Sequence, residues 1–244
     1  MRNLLFTISY DGTAYHGWQV QENAPTVQQT VQDALEIICG TRDNITGCSR
    51  TDSGVHAEEF CFNMRTECPL ECGVFARALD ANLPRDIAVR GCREVDFDFH
   101  ARYDCKEKEY TYKVWNSPEK NPFIDKYSLH HPYPLDVPFL DAQAKQFTGT
   151  HDFSAFCASG SSVEDKVRTV YSFDVERKDK LVEFRIRANG YLYNMVRIAV
   201  GTLIDISAGK IPADSIPGII SSLDRERAGQ TAKAKGLFLS KVIY

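Results

Sequence analysis

The chain has 244 residues, of which 43% are hydrophobic, 25% charged and 11% aromatic. That composition excludes a collagenous chain, a coiled coil and a disordered tail, and the length allows about 70% of the unfolded surface to be buried without staples. Twenty-nine Lys and Arg against 33 Asp and Glu leave a net charge of −4, which taken alone argues against a nucleic-acid partner, because such proteins usually carry a basic excess.

Residues 2–10 (RNLLFTISY) read as a strand ending at the turn Asp11-Gly12. Thr26 is placed to cap a helix over 27–39, where Val27, Val31, Ala34, Leu35 and Ile38 recur at helical spacing and Gly40 closes it. Residues 45–48 form a short strand running into the polar loop SRTDSGVHA, and Phe60 and Phe62 alternate in the next strand. A helix over 71–80 and a strand over 87–95 follow. Residues 103–115 alternate clearly, with Tyr110, Tyr112 and Val114 on one face. The stretch 116–138 holds five prolines and little periodicity, which makes it the candidate connection between an N-terminal half, 1–115, and a C-terminal half, 139–244. The second half reads as a helix over 140–147, a hairpin over 167–188 turning near Lys178-Asp179-Lys180, a buried helix over 195–207, a helix over 211–222 and a last strand over 236–244. Strands and helices in mixed order predict an α+β fold with a largely antiparallel sheet.

Met195 to Ile206 is the longest apolar stretch, and Arg197 and Asp205 interrupt it, so no membrane span is expected. The N-terminus turns polar within ten residues and has no cleavage site, which predicts a cytoplasmic protein. Eight cysteines include no Cys-x-x-Cys pair. They are expected to be mostly buried free thiols rather than metal ligands or disulfides.

The segment GCSRTDSGVHA, 47–57, carries the chemistry. A polar loop leaving an apolar strand is where catalytic groups usually sit. Arg50 and Asp52 are two apart, on the same side of an extended chain, and a nearby guanidinium would keep Asp52 ionised as a nucleophile or base. The same spacing also suits a salt bridge that merely stabilises the loop. His56 is either a base or a structural histidine hydrogen-bonded within the loop.

That segment resembles the nucleophile loop of the tRNA pseudouridine synthase A family, whose core is Arg-Thr-Asp-x-Gly-Val-His-Ala. Further motifs match in the family's order: YDGTAYHGWQVQ (10–21), ANLPRDIAV (81–89), FHARYDCKEKEYTY (99–112), NGYLYNMVRIAVGTL (189–203) and TAKAKGLFLSKVIY (231–244). Ser49, Phe60 and Asp80 depart from it, standing where Gly, Gln and Asn are frequent.

The resemblance implies two similar α+β halves sharing the sheet, with the active-site cleft between them. It implies isomerisation of uridine to pseudouridine at positions 38, 39 and 40 of the tRNA anticodon stem-loop, with no metal or organic cofactor. Asp52 is then the essential carboxylate. Arg50 pairs with it and fills the stack vacated by the extruded base. Tyr110 stacks on the uracil or acts as a base; without the resemblance, core packing accounts for it equally well. Arg197 needs a partner on its apolar helix, and Asp52 is the expected one. Five basic residues against one acid between Arg225 and Lys241, Lys233 and Lys235 among them, offer a local surface for phosphates, and the run 184–197 adds Arg185, Arg187 and Arg197 without an acid. A homodimer holding tRNA across both subunits is implied as well. The competing readings are a structured-RNA binding module without catalysis and a hydrolase using Asp52 with His56.

Overall fold

The computed structural model describes residues 1–161 and 163–244. The chain divides into two compact units, 1–106 with 238–244 and 107–237. The proline-rich segment 116–138 lies inside the second, and the first takes back the C-terminal strand. Ten strands and five α-helices are present among the described residues, with antiparallel pairing dominant, an α+β fold as the sequence predicts. No helix among them is long and apolar enough to cross a membrane.

Unit 1 contains β1 (Arg2–Tyr10), α1 (Val27–Cys39), β2 (Ile45–Gly47), β3 (His56–Thr66), α2 (Cys72–Asn82) and β4 (Ile87–Val95). Its sheet runs β4-β1-β3, antiparallel, with β2 also on β3. The Thr26 hydroxyl caps α1 by accepting from Gln29 N, and Gly40 ends the helix at φ +70°, a left-handed conformation natural to glycine. Phe6 on β1 stacks on Phe62 of β3 at 5.1 Å and meets Phe75 of α2 edge-on at 5.2 Å, so apolar alternation along β1 and β3 builds the core under both helices.

The register of β1 on β3 sets up the site. Ile8 faces Phe60 and Tyr10 faces Ala57, with a bulge between them. Antiparallel pairing therefore lays the chain leaving β1 beside the loop that enters β3.

Unit 2 contains β5 (Glu107–Asn116), β6 (Leu129–His131), α3 (Val137–Lys145), β7 (Gly149–Asp152), β8 (Val167–Lys178), β9 (Leu181–Ala188), α4 (Met195–Ser207) and α5 (Ile216–Ser222). The order is β5-β9-β8-β7, antiparallel, with β6 parallel beside β5. The last strand, β10 (Leu237–Ile243), belongs to unit 1 apart from its first residue and pairs in parallel with the start of β3. Eleven of the thirteen residues of α4 are buried, as its nearly continuous apolar sequence requires.

Several elements differ from the sequence expectations: β6 arises within the segment read as a connection, and β5 begins at Glu107 rather than at 103. Helix α3 begins at Val137, because Asp136 caps it and Pro138 sits in its first turn, where a missing N–H costs nothing. Helix α5 begins at Ile216 rather than 211: Asp214 is left-handed at φ +58° and Pro217 lies in the first turn. The short strand β7 carries no alternation to announce it. No disulfide joins the eight cysteines, of which three are buried and five half-buried, so fewer are buried than expected.

Candidate active site

The loop 48–55 is held by the chain leaving β1. Trp18 N donates to the Thr51 carbonyl at 3.2 Å, and Gly54 N donates to the Tyr15 carbonyl at 3.1 Å. The Tyr10 and Thr51 hydroxyls are 2.8 Å apart. These bonds bracket Asp52, which is half-buried between them. Its carbonyl accepts Val55 N at 3.1 Å, closing a turn in which Gly54 takes φ +74°.

Two glycines make the approach possible. A Cβ on Gly12 would collide with the Val55 carbonyl, and one on Gly17 with the Thr51 carbonyl. At both positions backbone lies directly on backbone, which only glycine permits. Below them Trp18 stacks on Phe60 at 4.1 Å, so the departure at Phe60 supplies an aromatic floor. Asp80, another departure, accepts Val89 N at 2.8 Å.

The clamp is itself anchored to Asp86, the residue before β4. Asp11 N donates to the Asp86 carbonyl at 2.8 Å, and the Tyr15 hydroxyl donates to Asp86 Oδ1 at 2.8 Å. Burial, followed by that bond and the carboxylate's charge, raises the Tyr15 pKa far above the ordinary phenol value. Tyr15 is a neutral donor at any physiological pH.

His56 is 1% exposed. Its Nδ1 lies 3.1 Å from both Gly12 N and Asp11 Oδ1, so its tautomer decides whether it accepts from the first or donates to the second. Its ring stacks on Phe238 at 4.7 Å. The two groups within 3.1 Å of Nδ1 lie in the 10–21 motif rather than within the loop. Buried and engaged in this way, His56 is poorly placed for a hydrolase's base.

Arg50 is exposed and forms no ion pair with Asp52 among the described residues. The pairing expected of Arg50 and Asp52 in an extended chain is not formed. Its planar cation is presented to solvent at the mouth of the loop.

In unit 2, Tyr110 is 5% exposed and meets the ring of Tyr191 edge-on at 4.9 Å. The Tyr191 hydroxyl lies 2.9 Å from the Lys108 carbonyl and 2.8 Å from that of Ile186, donating to one at a time. Burial, reinforced by Tyr110 and Glu109, drives its pKa well above the phenol value. Arg197 is half-buried near the start of α4. Its Nε donates to the Ala232 carbonyl at 2.7 Å and an Nη to Asn194 Oδ1 at 2.6 Å. Asn194, left-handed at φ +59°, is the residue before the helix.

The basic run is only partly available. Lys235 pairs with Asp125 at 2.8 Å, whereas Lys233 is exposed with no ion pair among the described residues. Its carbonyl accepts the Tyr112 hydroxyl at 2.7 Å. Arg185 is neutralised by Glu176 and Glu183, and Arg187 lies near Glu107. A linear window free of acids missed these because they stand on adjacent strands or just outside it.

The sequence also marks Asp11 and Gly12 only as a turn, and gives no role to Tyr15, Gly17 or Tyr191. The available signal was the pair of glycines five apart in a motif already rich in aromatic residues.

A family model described as tRNA pseudouridine synthase matches residues 7–104 and 143–244. The chain is 48% identical to tRNA pseudouridine synthase A of Acetivibrio thermocellus over the whole of both chains. It is 45% identical to that of Thermoanaerobacter pseudethanolicus and 42% to that of Caldicellulosiruptor saccharolyticus, again with full coverage of both. A solved archaeal box H/ACA Nop10–Cbf5 complex is similar at 13% identity and a TM-score of 0.38, over 83% of this chain and 43% of that one. With the family model matching most of the chain and these relatives covering all of it, the chain belongs to the tRNA pseudouridine synthase family.

Proposed function

We propose that this chain is an isomerase that converts uridine to pseudouridine in tRNA, at positions 38, 39 and 40 of the anticodon stem-loop, with Asp52 as its carboxylate nucleophile. One observation carries the assignment to Asp52: the backbone on both sides of it is fixed by hydrogen bonds from a separate segment, while its side chain is half-buried at the loop's turn. A catalytic group held this way needs little reorganisation during reaction.

The isomerisation balances without an oxidant or reductant. The N1–C1′ bond of uridine breaks, the base turns, and a C5–C1′ bond forms. The hydrogen at C5 leaves as a proton, and N1 regains one. A carboxylate can stabilise or bond to the sugar carbon while the base is free. Extruding the base from its stack costs a few kcal/mol, and Arg50 fills the gap as a planar cation. Tyr110 packs against the uracil or takes a proton near the sugar, and Arg197 supplies positive charge for the carboxylate. Binding through Lys233 and Lys235, a homodimer around tRNA, a cytoplasmic setting and the lack of a cofactor requirement belong to the same proposal.

The test uses bulk tRNA carrying tritium at uridine C5. Label released to water by the wild-type chain and lost in Asp52→Asn, with modification mapped to 38–40, is the expected result. Release persisting in Asp52→Asn would overturn the role of Asp52. RNA bound without release would favour a binding module, and free uracil a hydrolase.

A further inference from the structure

Unit 2 contains a cavity of about 660 Å³ that none of the roles above uses. The chain 228–231 forms one part of its lining, and the segment 157–161 with Lys166 another. The first part is bolted to α4. Gly229 N donates to the Thr202 hydroxyl at 2.8 Å, Gln230 N donates to Asp205 Oδ2 at 3.2 Å, and Ala232 N donates to the Arg197 carbonyl at 3.0 Å. A Cβ on Gly201 would collide with the Gln230 carbonyl, so this contact too is backbone on helix. That part ends one residue from Ala232, whose carbonyl holds the Arg197 guanidinium. The cavity therefore adjoins a residue of the proposed machinery through rigid backbone.

Its chemistry is that of an anion site. Lys166 lines it, and its ammonium has neither a hydrogen bond nor an ion pair among the described residues. Arg225 lines it with its guanidinium held at 3.3 Å from both the Ala228 carbonyl and the Thr231 hydroxyl, leaving further N–H donors of the fork. Hydroxyls of Ser159 and Ser161 add neutral donors, while that of Ser154 is already donated to Asp152 at 2.6 Å. The single carboxylate of the lining, Glu226, is exposed. No aromatic ring lines the cavity among the described residues, so a base would find nothing to stack on, whereas phosphate and ribose would find donors.

We infer that this cavity binds a backbone phosphodiester of the RNA substrate, with Lys166 and Arg225 as its cations. The inference rests on the reading of the chain as an RNA-modifying enzyme, and it adds a contact within unit 2 next to the Arg197 support.

The test measures binding of an anticodon stem-loop transcript to the full chain at several salt concentrations. Lys166→Ala is expected to weaken binding about tenfold and to flatten the slope of log K against log salt by about 0.7 to 0.9, with the loss of activity appearing in KM. Lys166→Arg is expected to restore both. Glu226→Gln is expected to tighten binding, a sign that damaged folding does not produce. Unchanged affinity and slope in Lys166→Ala would overturn the inference, as would weaker binding in Glu226→Gln. Inorganic phosphate, titrated at constant ionic strength, separates the other source: a saturable phosphate site removed by Lys166→Ala, with RNA affinity intact, would overturn the assignment to RNA. Failure of the Asp52 reading is distinct, since it appears as tritium release surviving Asp52→Asn and leaves the binding measurements in place.

Discussion

The Tyr15 carbonyl accepts the Gly54 N–H at 3.1 Å, joining the segment after β1 to the turn that follows Asp52. Because Tyr15 is also tied through its hydroxyl to Asp86, the loop inherits its position from the chain entering β4 as well as from β3. The backbone around the carboxylate is located by three separate parts of unit 1.

Gly12→Ala is expected to force the Val55 carbonyl away and to cost about 1–3 kcal/mol of stability, together with most of the activity. Gly40→Ala is the comparison. It meets no neighbour and only strains a left-handed residue at φ +70°, which costs about 1–2 kcal/mol and leaves turnover unchanged. Denaturant unfolding and tritium release measure both. Wild-type turnover in Gly12→Ala would show that the close approach has no catalytic consequence.

Tyr191 is expected to act as the wall that orients Tyr110. Tyr191→Phe removes one hydroxyl bond, for about 1 kcal/mol, and keeps the edge-on ring, so turnover should stay close to wild type. Tyr191→Ala removes the ring, and turnover should fall roughly ten- to hundredfold with RNA affinity little altered. Equal effects from the two variants would contradict this division.

Lys233→Ala should weaken RNA binding more than Lys235→Ala. The charge of Lys235 is already countered by Asp125, whose carboxyl it holds below the usual range, whereas that of Lys233 faces solvent. Salt-dependent binding of the two variants decides the order, and a larger loss in Lys235→Ala would reverse it.

Glu183 gives the fold a pH signature. Burial works to raise its pKa, but hydrogen bonds from Arg185 and Lys178 outweigh it and the net shift is downward. A depressed carboxyl stabilises the native state above its unfolded pKa, and that stability is lost as pH falls through the folded value. Glu183→Gln should therefore destabilise by about 2 kcal/mol at pH 7, with the gap closing as the pH is lowered from about 4.5. Urea midpoints across that range check it, and a gap independent of pH would refute it.

Much of the fold was legible because its signals are local. Thr26 and Gly40 bracket α1, and the alternation through Tyr110, Tyr112 and Val114 marks β5. Helix α5 was misjudged at its start because apolar Ile211 fits a helical period, while the left-handed backbone at Asp214 leaves no compositional trace. As a candidate carboxylate, Asp52 was legible from its motif. The clamp around it was not, because its bonds join residues about forty positions apart, and only the register of β1 on β3 shows that they meet. The two-residue spacing of Arg50 and Asp52 carries no information about the turn at Ser53-Gly54 that follows.

The parallel pairing of β10 with β3 also bears on how the chain is made. Phe238 and Leu239 lie beside His56 and Ala57, yet the whole of unit 2 separates them in the order of synthesis. A ribosome releases the early strands and the loop bearing Asp52 long before the strand that covers His56 exists. During that interval the edge of β3 is a nascent, uncovered surface, and the start of β3 gains its parallel neighbour only after all of unit 2 has been made.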